Sequence, residues 1–194
     1  MPITKPSFRY IFILFFLTAL SINSYSQLIS YGGGLNISNG TTIHIEKYNQ
    51  EYYSGNLGIH AKATYKLDYH LRLVPKLAVY LPKTKSLQGG ESKTMLTDLN
   101  VNIYNIHNPR DMIRTYLFGG VNFSGWHVQD DSESPARSID LDKYGLYPGI
   151  SGGAGFKFNV QHDMEIFIEG KYIKYLTAKS SQIMGHIGIN MILD

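Results

Sequence analysis

The chain contains no cysteine. That excludes a disulfide framework, a thiolate metal site, a cysteine nucleophile and a lipid-modified N-terminal cysteine. It also lacks an apolar run of the roughly 20 residues that a membrane-spanning helix needs. The one strongly apolar stretch, Tyr10–Leu20, is much shorter, follows Lys5 and Arg9, and gives way abruptly to polar Ser21–Gln27. Basic residues, a short apolar core, and small Ser24 and Ser26 ahead of Gln27 form the pattern of a secretory signal peptide. The expectation is a cleaved signal over residues 1–26 and one exported domain over 27–194. An uncleaved signal anchor is the alternative, and the polar flank argues against it.

A charge excess is missing as well. Lys5 and Arg9 account for two of the 18 basic residues, so the rest nearly balance the 15 acidic ones. The basic isoelectric point therefore says little about partners. No basic cluster with interleaved aromatics is present, and export removes the chain from the cytoplasm, so nucleic acid is not an expected partner. Slightly negative mean hydropathy argues against a helical membrane protein. It does not bear on a membrane barrel, whose apolar face occupies only every second residue.

What the chain does have is alternation. From Gln27 onward, about 168 residues read as one domain of eight segments that alternate apolar with polar residues: Leu28–Ile37, Gly55–Leu67, Leu71–Leu81, Thr94–Ile106, Met112–His127, Gly145–Val160, Asp163–Leu176 and Gln182–Leu193. Leu57, Ile59, Ala61, Ala63, Tyr65 and Leu67 share one parity, and His60, Lys62, Thr64 and Lys66 share the other. Leu71, Leu73, Leu77, Val79 and Leu81 likewise oppose Arg72, Lys76 and Tyr80. Met164, Ile166 and Ile168 oppose Glu165, Glu169 and Lys171, and Ile183, Ile187, Ile189, Met191 and Leu193 oppose His186, Gly188 and Asn190. Successive strand residues point to opposite faces, so each segment has one apolar and one polar face. Short connections at Asp68–His70, His107–Asp111 and Gln161–Asp163 alternate with longer ones at Ser38–Ser54, Pro82–Lys93 and Val128–Tyr144. Turns on one side and loops on the other fit an eight-stranded antiparallel transmembrane β-barrel, an all-β up-and-down meander with both termini periplasmic.

Alternation alone does not say which face points inward, and a soluble periplasmic lipocalin-like ligand-binding barrel would place the apolar face inside. Mid-strand charges confined to one parity favour the membrane barrel. So do Tyr31, Tyr65, Tyr116, Trp126, Tyr144, Tyr147, Tyr172 and Tyr175, which stand near strand ends as interfacial girdles would. Pro75 and Pro148 fall inside strands, where the missing N–H predicts bulges or local edge behaviour. Gly32, Gly33, Gly34, Gly119, Gly120, Gly152, Gly153 and Gly155 also fall inside strands and read as close packing and curvature in a narrow barrel. Gly149-Ile150-Ser151-Gly152-Gly153 matches the spacing of a nucleophile elbow without its strand-to-helix context.

On these features, with the Ser26-Gln27 signal end and the segments Gly149–Phe158 and Gly185–Leu193, the chain resembles the small outer-membrane β-barrel family typified by the OmpA membrane domain and OmpX. It is more closely similar to the PorT-like barrels of Bacteroidota. The resemblance covers Gln27 to Asp194. It implies a bacterial outer-membrane location, contact with outer-membrane lipid and lipopolysaccharide, and protein partners in an envelope or secretion assembly. One departure is the ending Met191-Ile192-Leu193-Asp194, where such barrels often finish on an aromatic residue.

The candidate site is the lumenal charge set. Depth counted from the turns places Lys62 and Lys76 level with Glu169, with Arg114 nearby, and Glu165 one layer lower beside Arg72 or Lys66. The third and seventh strands of eight stand opposite, and the interior of such a barrel is narrow enough for side chains to meet. A salt-bridged structural plug is the main expectation and a gated ion path the alternative. No catalytic residue, cofactor or metal site is expected. His60 and His186 make only two imidazole ligands, while Asp130, Asp131, Glu133, Asp140 and Asp142 form an acidic outer loop that could bridge cations to lipopolysaccharide. A lipid A-modifying hydrolase using His186 and Glu169 is the enzyme alternative, with no serine well placed on the lipid side.

Overall fold

The structure, a computed structural model, describes residues 27–39, 42–45, 50–53, 57–87, 90–130, 143–176 and 180–193. Residues 1–26, the expected signal segment, and most of the expected acidic loop lie outside the described residues. Eleven strands follow in order: β1 (Gln27–Ser38), β2 (Thr42–Ile45), β3 (Gln50–Tyr53), β4 (Leu57–Lys66), β5 (Leu71–Tyr80), β6 (Lys83–Leu87), β7 (Gly90–His107), β8 (Ile113–Asp130), β9 (Lys143–Gln161), β10 (Met164–Tyr175) and β11 (Ser181–Ile192). Eight of them, β1–β4–β5–β7–β8–β9–β10–β11, form an antiparallel meander, and β11 pairs back onto β1 to close it. Closure leaves the barrel with no free edge, a requirement for backbone N–H and C=O groups that lie in lipid.

The alternating segments of the sequence map onto these eight strands. Extra strand appears where long loops were expected. Lys83–Leu87 pairs with Gly90–Thr94, β8 and β9 continue outward to Asp130 and from Lys143, and β2 pairs with β3. Polar runs such as Lys83-Thr84-Lys85-Ser86 carry no apolar face, so their period-two signal is silent.

The parity resolves into an apolar outside and a polar inside. Ile59, Leu77, Leu117 and Ile187 are 46–68% exposed, whereas Asn100, Asn122, Asp98 and Gln182 are at 0%. A soluble barrel would show the reverse. The strands are also strongly staggered. Successive partners Ser38, Met184, Lys171, Gly153, Phe118, Tyr104, Arg72, Lys66 and Gln27 lead once round the barrel and from one end of β1 to the other. Side chains at similar distances from their own turns therefore stand at different depths on different strands.

Pro75 interrupts a ladder without bulging it. Leu81 N–H donates to Leu57 C=O, and alternation along the pair puts Ala63 opposite Pro75 at a hydrogen-bonded position. Pro75 has no N–H to give, and the paired register skips from Lys62–Lys76 to Tyr65–Leu73 with no shift. At Pro148 the β8–β9 register runs on unbroken. Its C=O accepts from Leu176 N–H, so the missing donor points to the same side, where β10 has ended at Tyr175. The register shifts come instead at Leu28/Ser30 and Met164/Glu165, near the turn end.

Two lumenal glycines make room for aromatic rings. Phe118 pairs with Gly153 and Phe167 with Gly188. A Cβ at Gly153 would stand 2.5 Å from Phe118 Cζ, and one at Gly188 would stand 2.7 Å from Phe167 Cζ, each also colliding with neighbouring backbone. The girdle expectation needs correction for the same interior. Tyr31 and Tyr172 are exposed on the outer face, but Tyr116, Trp126 and Tyr175 are buried in the lumen, with Tyr147 packed against Trp126. They share the parity of Ser124 and Lys171, and a narrow interior needs bulk. The Tyr144 side chain lies outside the described residues.

Candidate functional site

The lumen is filled in layers. At the turn end, Glu165 on β10 accepts from Lys157 Nζ at 2.7 Å, Arg114 Nη2 at 2.7 Å and Asn190 Nδ2 at 2.5 Å. Arg114 also donates to Asn159 Oδ1. Four residues farther along β10, Glu169 takes Lys62 Nζ on Oε1 at 2.8 Å and Lys76 Nζ on Oε2 at 2.5 Å, with Tyr104 OH donating to Oε1 at 3.0 Å. Lys62 and Lys76 face each other in register on β4 and β5. Like charges so placed repel, and the carboxylate reaching across from β10 offsets that by binding both. Lys62 Nζ also lies 3.1 Å from the centroid of the Phe167 ring, whose face attracts a cation.

Above this layer, Lys171 donates to Asn100 Oδ1 at 2.7 Å, Ser151 donates to Asn102 Oδ1 at 2.9 Å, and His60 and His186 each donate from Nδ1 to Asn36 Oδ1 at 2.5 Å. Toward the loop end, Asn122 donates to Ser124, Ser124 to Asp98, Tyr175 to Gln182, and Gln182 to Ser38. An apolar cluster of Ala78, Tyr80, Leu96, Trp126, Ile173, Tyr175 and Met184 packs at the same end. A second, with Val74, Ile106 and stacked Tyr104, Tyr116 and Phe118, packs toward the turns.

The structure brings Lys62, Lys76 and Glu169 together but places the other expected partners differently. Arg114 serves Glu165, because both stand near the turn end while Glu169 is already bound by two lysines. Arg72 does not reach Glu165. Its guanidinium turns back onto the carbonyl oxygens of Asp68 and Leu71 at its own turn, and Glu165 is occupied by Arg114, Lys157 and Asn190. Lys66 is exposed. The stagger is the reason: counting from turns assumes equal depths that a tilted closed sheet does not keep. Lys157 was missed, although it shares the inward parity of Ser151, Gly153 and Gly155. Asp98 and the Asn36–histidine cluster were also missed, since their partners come from distant strands.

His186 pairs in register with Glu169. The imidazole is engaged by Asn36 and the carboxylate by two lysines and a tyrosine, and both side chains are buried. Among the described residues, no group of three or more histidine, aspartate or glutamate side chains is arranged to hold a metal ion.

No family model matches the chain, and no curated protein matches it. Solved structures do. The chain is similar to neisserial surface protein A, with a TM-score of 0.63 at 10% identity, covering 87% of this chain and 99% of that one. It is similar to the N-terminal β-barrel domain of OprF from Pseudomonas aeruginosa, with a TM-score of 0.57 at 12% identity over 87% and 99% of the two chains. Ail, the attachment invasion locus protein of Yersinia pestis, gives 0.56 at 11% identity over 86% and 99%. The fold is that of a small eight-stranded outer-membrane β-barrel.

Proposed function

We propose that the chain is a non-enzymatic integral protein of the bacterial outer membrane, exported by a signal peptide over residues 1–26 that is removed before Gln27. Its role is structural or is exercised through its loops, as a subunit of an envelope or secretion assembly, the role that the PorT-like resemblance suggests. The observation that carries this reading is the combination of an apolar exterior with a lumen occluded by paired charges and aromatic clusters. A barrel that hides its polar groups and fills its own interior presents to the outside only lipid contacts and its two rims. Lipopolysaccharide and envelope proteins are the partners this arrangement can reach, the termini lying on the periplasmic side. In this reading the charge set of Lys62, Lys76, Arg72, Arg114, Glu165 and Glu169 is structural.

Fractionation of cells making the full chain tests the location. The mature protein should remain with the outer membrane after osmotic shock and high salt and be extracted only by detergent, with an intact mass beginning at Gln27. Release by osmotic shock would overturn the reading in favour of a soluble barrel. Affinity purification in mild detergent tests the role and should retain a stoichiometric envelope protein. A changed lipid A acyl pattern in a deletion strain would instead reveal a hydrolase.

A further inference from the structure

The outer surface carries glycines that the barrel's own packing does not require. A Cβ built on Gly119 or Gly152 would meet only a backbone carbonyl oxygen at 3.7 Å, one on Gly185 only a carbonyl oxygen at 4.0 Å, and one on Gly170 nothing within 4 Å. A side chain would fit at each, unlike at Gly153 or Gly188. These glycines stand together on the lipid-facing side. Gly119 pairs with Gly152, and Ala154, the next outward residue of β9, pairs with Gly170, which pairs in turn with Gly185. Glycine inside a strand weakens it and marks a place where a ligand or another backbone approaches closely.

At the turn end of this bare strip the surface is hollowed. Asn105, His107, Thr115, Leu117, Ala154 and Phe156 line a hollow of about 350 Å³. Asn105, His107 and Thr115 are exposed on the parity that faces lipid, while the outward residues around them, Ile103, Ile113, Leu117 and Phe156, are apolar and 51–68% exposed. No side-chain hydrogen bond joins the three polar groups to another described residue, and a polar group facing hydrocarbon is costly until it finds a partner. The registers set this surface in rows. His107, Thr115 and Phe156 stand nearest the turns, then Asn105, Leu117 and Ala154, then Ile103, Gly119 and Gly152. The order runs from polar at the turn end to apolar and bare toward mid-barrel, which is the order of head and tail in an amphiphile. A second copy of the chain fits less well, because a symmetric pair in one membrane meets at equal depth and would set hollow against hollow.

We propose that this hollow on the outer face binds one glycerophospholipid of the periplasmic leaflet. Its phosphate or ester oxygens accept from Asn105, His107 and Thr115, and one acyl chain lies over Ala154, Gly152 and Gly119. The choice of leaflet rests on the orientation given under Proposed function, which puts the turns on the periplasmic side.

Native mass spectrometry of the full-length barrel, folded in detergent and titrated with palmitoyl-oleoyl phosphatidylethanolamine, tests the site. The parent should retain one phospholipid per barrel at collision energies that strip detergent. Thr115→Val removes one hydrogen bond and should weaken retention about two- to tenfold. Gly152→Val fills the path of the acyl chain and should abolish retention without lowering the unfolding temperature in lipid-free detergent, since nothing in the chain opposes a side chain there. Leu77→Met, elsewhere on the outer face, should bind as the parent does. Equal retention by the parent, Thr115→Val and Gly152→Val would overturn the proposal, as would a lipid-free dimer of the parent. Should Gly152→Val fail to fold, Thr115→Val against Leu77→Met decides. Lipopolysaccharide in place of phospholipid on barrels drawn from cells would refute the choice of leaflet. The titration does not depend on where the cell puts the protein, so its failure is distinct from release of the protein by osmotic shock.

Discussion

Glu169 is the residue on which the interior depends most, since it is the shared partner of two buried ammonium groups and a tyrosine hydroxyl. Glu169→Gln keeps the shape but leaves Lys62 and Lys76 facing each other uncompensated. Breaking a buried pair in this way costs about 3–5 kcal/mol, and the variant should unfold at correspondingly lower denaturant, read from the mobility difference between folded and unfolded barrel. Adding Lys76→Met should recover part of the loss, because one of the two stranded charges is gone. Strictly additive losses in that cycle would mean the groups do not interact. Gly188→Ala probes a different constraint, the close approach of Phe167 and of the β1 backbone. Overpacking of this kind costs about 1–3 kcal/mol, and the same assay should show it.

At the level of the strand, parity does most of the work. Leu77 and Ile187 lie on the outer face, 50% and 46% exposed. An arginine on the lipid face costs about 2–4 kcal/mol at mid-depth. Leu77→Arg and Ile187→Arg should therefore reduce the folded fraction recovered in membranes, while isosteric Leu77→Met should not. Full recovery of both arginine variants would contradict the assignment of faces. Pro75 offers a second test on one strand. Pro75→Val supplies the N–H that Ala63 lacks across the ladder, a hydrogen bond whose net worth is about 0.5–1.5 kcal/mol. The variant should be at least as stable as the parent, and hydrogen exchange should show a protected amide at position 75.

For the whole molecule, the question is whether the barrel is open. Lumenal side chains of Asn36, Asp98, Asn100, Asn102, Asn122, Ser124, Gln182 and Asn190 are all at 0% exposure. A water-filled channel would leave such groups wet. Liposomes containing the folded parent should accordingly show no faster swelling in small neutral sugars than empty liposomes, and swelling at a rate typical of open pores would show that the occlusion does not persist in a bilayer. Stability also belongs to this scale. Closure by β1 and β11 joins the first and last strands of the barrel, so it should unfold in one cooperative step rather than strand by strand.

The sequence by itself determined the eight barrel strands, the order of their turns and loops, and which residues of each of those strands share a face, but not the short added strands β2, β3 and β6. The former follow from period two, from Gly and Pro placement and from the alternation of short and long connections, all of them local. That parity set Lys62, Lys76, Arg72, Glu165 and Glu169 on one face of their strands, and it could have found Lys157. The confinement of mid-strand charges to one parity also favoured that face as the inside, a choice that apolar–polar alternation alone leaves open, and the tertiary structure bears it out. Only the tertiary structure decided that Arg114 serves Glu165 and that Arg72 folds back on its own turn. It also turned Tyr116, Trp126 and Tyr175 into lumenal packing rather than girdle. Each of these depends on the stagger that carries the hydrogen-bonded belt from Gln27 to Ser38. That stagger is a property of eight registers together, and no single segment contains it.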